Sequence, residues 1–254
     1  MDDRYREIAI EYIKDNIDLI DKNCFEDFYS KMDGNLGLVY RSAVTYLLLE
    51  SGINPLVYMS RVPEYYLYGQ KGVTSSIKSL IIPSSIKDIE VQAFSNCKSL
   101  NEVSIPSSVE KIGYEAFADC NSLKSVVIPG SVKNIGSGIF YYCTSLKDVI
   151  LKNGVTTINF GMFRNCRSLT YVVIPDSVTS IEGVAFANCK SLTDITIPSS
   201  VTVLGNWAFK DCTSLETVNY LGSKAQWNGL YRREGWDKGA PIKVIHCTDG
   251  DVEL

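Results

Sequence analysis

The apolar positions of the chain fall into a strict period. Phenylalanine stands at Phe94, Phe117, Phe140, Phe163, Phe186 and Phe209, each 23 residues after the last. Three positions after each comes a cysteine: Cys97, Cys120, Cys143, Cys166, Cys189 and Cys212. Three further on comes Leu100, Leu123, Leu146, Leu169, Leu192 or Leu215. A period in this range marks a repeat architecture, whose units bury their apolar side only against their neighbours. One unit, residues 117–139, reads FADCNSLKSVVIPGSVKNIGSGI. Leu123, Val126 and Ile128 have L-x-x-L-x-L spacing and end in alternation, so they predict a short strand with one face inward. Pro106, Pro129, Pro175 and Pro198 close that strand, because proline donates nothing to a ladder; Lys152 and Leu221 interrupt the column. A second apolar pair follows, such as Val132 and Ile135 or Val178 and Ile181, and then a tight Ala-Phe segment. Each unit is predicted to be a coil with two short extended segments and one short helical or 3₁₀ turn.

Residues 1–72 lack the period. Tyr5, Ile8, Tyr12, Ile13, Ile17 and Ile20 suit one face of a helix. Phe25, Phe28, Tyr29 and Met32 suit a second, and Val39, Ala43, Tyr46 and Leu47 a third that Gly52 ends. Asn54-Pro55 has the form of a helix start. A small helical module is therefore expected, as a cap on the first coil or as a separate binding unit. At the other end, Tyr220 holds the last inward strand position. Residues 222–254, with Trp227 and Trp236, are expected to fold back as a C-terminal cap.

The recurring pattern C-x-S-L-x-x-V-x-I-P-x-S-V-x-x-I-G-x-x-A-F resembles the BspA-like (Treponema pallidum type) leucine-rich repeat family. The resemblance covers about residues 73–221, some six and a half units. It implies a right-handed leucine-rich-repeat solenoid of 23-residue coils, preceded here by the helical module. It also implies use as a binding surface in bacteria, their mobile elements and some protists. Many relatives are secreted or surface-attached adhesins, and the terminal A-Q-W-N and I-H-C-T-D-G-D pieces resemble a segment found in several of them.

Composition and charge narrow the function. The formal net charge is −4 with no basic cluster, so a nucleic-acid partner is not expected. The charged N-terminal stretch does not read as a signal peptide, and no apolar run of ~18 residues is long enough to span a membrane. The expected location is therefore cytoplasmic, with the cell surface or a non-classical secretory route as the alternative. Eight cysteines invite a disulfide or metal reading. A 23-residue spacing instead gives a row along the solenoid, not the clustered tetrahedron of a zinc site. Stacked neighbours pointing the same way into the core make poor disulfide geometry. The ladder cysteines are read as free packed thiols, and Cys24 as a small buried hydrophobe. His246 and Cys247 are adjacent on an extended segment and should face opposite ways. Gly113, Gly136 and Gly205 are read as turn glycines, with no phosphate-binding loop. Neither a catalytic residue nor a cofactor nor a metal is expected, and the chain does not read as an enzyme.

What remains is surface. Strand alternation exposes one column of Ser79, Glu102, Ser125, Asp148, Tyr171, Asp194 and Thr217. A second column holds Ile81, Ser104, Val127, Ile150, Val173, Thr196 and Asn219. Apolar side chains beside an aromatic and an acid suit protein recognition, although valine and isoleucine also favour strands for backbone reasons. The candidate contact residues are Glu102, Ser125, Val127, Asp148, Ile150, Tyr171, Val173 and Asp194, with Lys124 and Lys147 at the border. The expected function is a non-catalytic protein-binding scaffold, acting as an intracellular adaptor or inhibitor of a bacterial or host protein and encoded by a phage or mobile element. The alternatives are a surface adhesin-like protein and a structural component of a larger assembly.

Overall fold

A computed structural model describes residues 61–62 and 77–254. The expected N-terminal helices, Cys24 and Asn54-Pro55 lie outside these residues. In chain order the strands begin with β1 (Arg61–Val62), β2 (Ser79–Ile81), β3 (Asp88–Ile89), β4 (Glu102–Ser104), β5 (Lys111–Ile112) and β6 (Ser125–Ile128). They continue with β7 (Asn134–Ile135), β8 (Asp148–Leu151), β9 (Thr157–Ile158), β10 (Tyr171–Val173), β11 (Ser180–Ile181) and β12 (Asp194–Ile197). The chain closes with β13 (Val203–Leu204), β14 (Thr217–Tyr220), α1 (Lys224–Gly229), β15 (Tyr231–Arg232), β16 (Val244–Cys247) and β17 (Gly250–Glu253).

The protein is a β-solenoid whose coils each contribute one longer and one two-residue strand. Longer strands pair in parallel with longer strands one coil away, in three groups, β2-β4, β6-β8-β10 and β12-β14-β16, and short strands pair with short. The register is the repeat itself: Ser125 faces Asp148, which faces Tyr171. The Ala-Phe turn supplies a third row of inter-coil bonds, such as Phe117 N–H to Ile139 C=O at 2.9 Å. The turn carries i→i+3 bonds, for example Cys97 N–H to Phe94 C=O, but no continuous helix. Left-handed residues interrupt it at two columns, one of them Asn96, Asp119, Tyr142, Asn165, Asn188 and Asp211. Asparagine and aspartate tolerate that backbone better than most residues, which explains five of the six.

The core is a set of stacked columns. The six phenylalanines are fully buried and stack ring on ring, with centroids 5.2–5.8 Å apart. The ladder cysteines are buried free thiols. From Cys120 onward each Sγ–H points at the carbonyl of the phenylalanine 26 residues earlier, at 3.0–3.3 Å. Cysteine thus serves as a small hydrophobe with one weak donor, used to tie a coil to the one before.

The short-strand ladder breaks once, between β7 and β9. Backbones nearly touch at this column: a Cβ on Gly136 would lie 2.4 Å from the Tyr114 nitrogen. Gly113, Gly136 and Gly205 do not have positive φ, so they serve close coil approach and not a left-handed turn. The next coil has Asn159 in that place. Its side-chain amide donates to the Ile135 carbonyl, the role that the Gly136 N–H plays toward Ile112 one coil earlier.

After β14 both ladders continue beyond the regular repeats. β15 extends the short series on β13, and β16 the long series on β14. β17 then turns back antiparallel on β16 and occupies its open edge. Trp236 ends the phenylalanine stack edge-on against Phe209, and its carbonyl accepts the Phe209 N–H. Trp227, on α1, packs edge-on against both Tyr220 and Trp236. Ser223 caps α1 in a reciprocal capping box with Gln226.

Two outcomes follow. Phe163→Ala removes a ring stacked on both sides and should cost about 3–5 kcal/mol, read from the urea midpoint. Burial holds the thiols of Cys120, Cys143, Cys166 and Cys189 above the ordinary range; at Cys97 the hydrogen bond with Cys120 leads and burial adds to it. Thiols of the unfolded chain ionise above about pH 8.5. There the unfolded state binds fewer protons than the native state, so stability falls as pH rises and is intact below that point. The urea midpoint should drop above about pH 8.5, and less steeply in a Cys143→Val, Cys166→Val double variant.

Candidate protein-recognition face

The longer strands alternate, so their inward residues enter the core and their outward residues form one surface. β6, β8 and β10 make a three-stranded parallel sheet. Its register aligns Ser125, Asp148 and Tyr171 in one row and Val127, Ile150 and Val173 in the next. Tyr171 is 55% exposed and Val127 43% exposed, while Ile150 and Val173 are half-buried. Asp148 is exposed between Ser125 and Tyr171. Six of the eight candidate residues therefore share one sheet. Glu102 and Asp194 are also exposed, but on β4 and β12, which belong to separately paired ladders on either side. Lys124 and Lys147 are exposed along the edge where the strands begin. Beside them a shallow groove of about 420 Å³ is lined by Lys78, Ser99, Asn101, Ser122, Lys124 and Ser145.

Among the described residues, no three His, Cys, Asp or Glu side chains gather as metal ligands do. No helix among them is long and apolar enough to cross a membrane. His246 is exposed on β16 with Nδ1 2.8 Å from Asp251 Oδ1. Its neighbour Cys247 is partly buried, and burial, then Asp249, raise its pKa.

A second surface lies away from the strands. The ridge of Ala-Phe turns carries Tyr114, Phe160 and Trp207, each about half exposed. Arg164 lies over Tyr141 and Lys210 over Trp207 at cation–π distance. The signal was present as irregularity inside the columns: Phe160 and Trp207 flank a coil that has Gly183 and Ala187.

The comparisons agree with this architecture. The family model for the BspA type leucine rich repeat region matches residues 71–192 and 157–227. The chain belongs to the BspA-type leucine-rich repeat family. A solved leucine rich cell surface protein from Faecalibacterium prausnitzii is 42% identical, with a TM-score of 0.53 over 57% of this chain and 39% of that one. A leucine-rich repeat protein from Eubacterium ventriosum is 27% identical, with a TM-score of 0.60 over 70% of this chain and 48% of that one. The chain thus spans less than half the length of either structure. No curated protein matches the sequence.

The thiol arrangement gives a direct check. Cys247 should react with a maleimide in the native protein well before the six ladder cysteines, which should label only at the rate of unfolding. Time-resolved labelling followed by peptide mass mapping measures both.

Proposed function

We propose that the protein is a non-catalytic scaffold that binds another protein on the outward face of β6, β8 and β10. One observation carries this reading: the register sets the apolar row Val127, Ile150, Val173 beside the row Ser125, Asp148, Tyr171 on one rigid sheet. Tyrosine and apolar anchors flanked by a charge are what recognition surfaces concentrate. A preformed sheet also loses little conformational freedom on binding. Glu102 and Asp194 extend the acidic margin of this face. The cell surface is the favoured place of action, on the strength of the Faecalibacterium relative described as a cell surface protein. An intracellular adaptor or inhibitor is the alternative.

Asp148→Arg combined with Val173→Glu should abolish retention of the partner in affinity capture from the native cell, with an unchanged thermal melt. Retention equal to wild type alongside a normal melt removes this face from consideration. Protease shaving of intact cells decides the location: loss of the protein's signal supports the surface, and full protection supports the interior.

A further inference from the structure

The turn ridge contains a built slot. It runs over the coil of residues 183–188, where Gly183, Val184 and Ala187 are small. The coil before supplies Phe160 and Arg164 as one wall, and the coil after supplies Trp207 and Lys210 as the other. The slot measures about 300 Å³, with Asn188 and Asn206 also on its lining. The backbones that carry the walls stand two rungs apart, roughly 10 Å at ~4.8 Å per rung. Phe160 leans over Gly183, where an added Cβ would come within 3.2 Å of its ring, so glycine there makes room for the aromatic wall.

The chemistry of the lining is one-sided. It holds two cations, two amides and two aromatic faces, and no carboxylate. Among the described residues Arg164 makes no ion pair, and Lys210 approaches Asp211 at 3.9 Å. Both rings are about half exposed, Phe160 56% and Trp207 46%, with Lys210 lying over Trp207 and Gly235 close against its edge.

A second observation is independent of the lining. Val184 and Trp207 occupy consecutive rungs of a left-handed column, at φ 50° and 56°. The same column is left-handed in the four coils before as well, at Gln92, Glu115, Gly138 and Gly161. A β-branched or bulky residue at positive φ is a genuine outlier. The backbone is left-handed in each coil here, but only these two coils place a β-branched and a bulky side chain on it, and both line this slot.

We propose that the slot binds an acidic sugar: a pyranose ring bearing a carboxylate, presented in a glycan. The ring's C–H faces lie against Phe160 and Trp207, its carboxylate meets Arg164 and Lys210, and its hydroxyls pair with the amides of Asn188 and Asn206. Charge complementarity selects an anion. The amides select a hydroxylated ring over an aromatic peptide side chain, because an apolar plug would bury both amides without partners.

Trp207 makes the test direct, because the other two tryptophans, Trp227 and Trp236, are buried. The full chain is titrated with an oligosaccharide alternating glucuronic acid and N-acetylglucosamine, with its neutral counterpart in which glucose replaces glucuronic acid, and with a peptide alternating Asp and Phe. The acidic oligosaccharide should shift Trp207 emission to the blue, bind at least tenfold more tightly than the neutral one, and weaken with salt. By calorimetry, Phe160→Ala, Trp207→Asn and the pair Arg164→Gln with Lys210→Gln should each lose at least tenfold in affinity. The melting temperature of Trp207→Asn should be no lower than wild type, since asparagine relieves the left-handed strain. Equal binding of the neutral sugar, silence toward both sugars at millimolar concentration, binding of the peptide alone, or full affinity in the Arg164–Lys210 pair overturns the proposal.

Discussion

Everything in this structure depends on neighbouring coils lying one hydrogen-bond spacing apart along three rows at once: the longer strands, the short strands and the Ala-Phe turns. That spacing is set by the backbone, about 4.8 Å per rung. Side chains inside must then stack like upon like, because each column has one width available. The phenylalanine rings comply at 5.2–5.8 Å. The cysteines comply with a side chain short enough to pack and a thiol hydrogen aimed at the preceding coil's carbonyl. Where backbones nearly touch, even a Cβ is too much, and glycine appears; where Asn159 replaces it, the ladder parts and a side-chain amide fills the gap.

A stack built this way has open ends, and an open parallel strand is a template for unwanted pairing. The C-terminal segment answers in kind. It adds one more rung to each ladder and then reverses with β17, so the last parallel strand is paired on both sides. The aromatic column ends on Trp236, set edge-on over the last phenylalanine instead of inviting another ring to stack, with Trp227 edge-on behind it.

Because the interior is so constrained, variation is pushed outward. Outward positions of β6, β8 and β10 carry serine, aspartate, tyrosine, valine or isoleucine on one continuous parallel ladder. The turn ridge varies in another way: it alternates bulky and small residues, which turns a smooth edge into walls and a floor. One face offers breadth and the other a slot, and both are held rigid by the same columns.

Much of this was legible from spacing alone. A 23-residue recurrence of Phe, Cys and Leu specifies a solenoid, since no other arrangement lets identical residues meet identical neighbours at every rung. Alternation told which strand residues face out, so the rows at Ser125, Asp148, Tyr171 and at Val127, Ile150, Val173 could be drawn before any coordinates. The cysteines could be read as packed thiols, but not as donors to a carbonyl 26 residues back, because that bond depends on how one turn sits over the next. Tertiary structure alone also decided that Glu102 and Asp194 fall on separate ladders, that the glycines mark close approach, and that Phe160 and Trp207 stand as walls around Val184. Periodic residues reveal themselves in sequence because stacking demands repetition. A slot is made by residues that break the repetition, and its shape exists only once the coils that carry them are laid side by side.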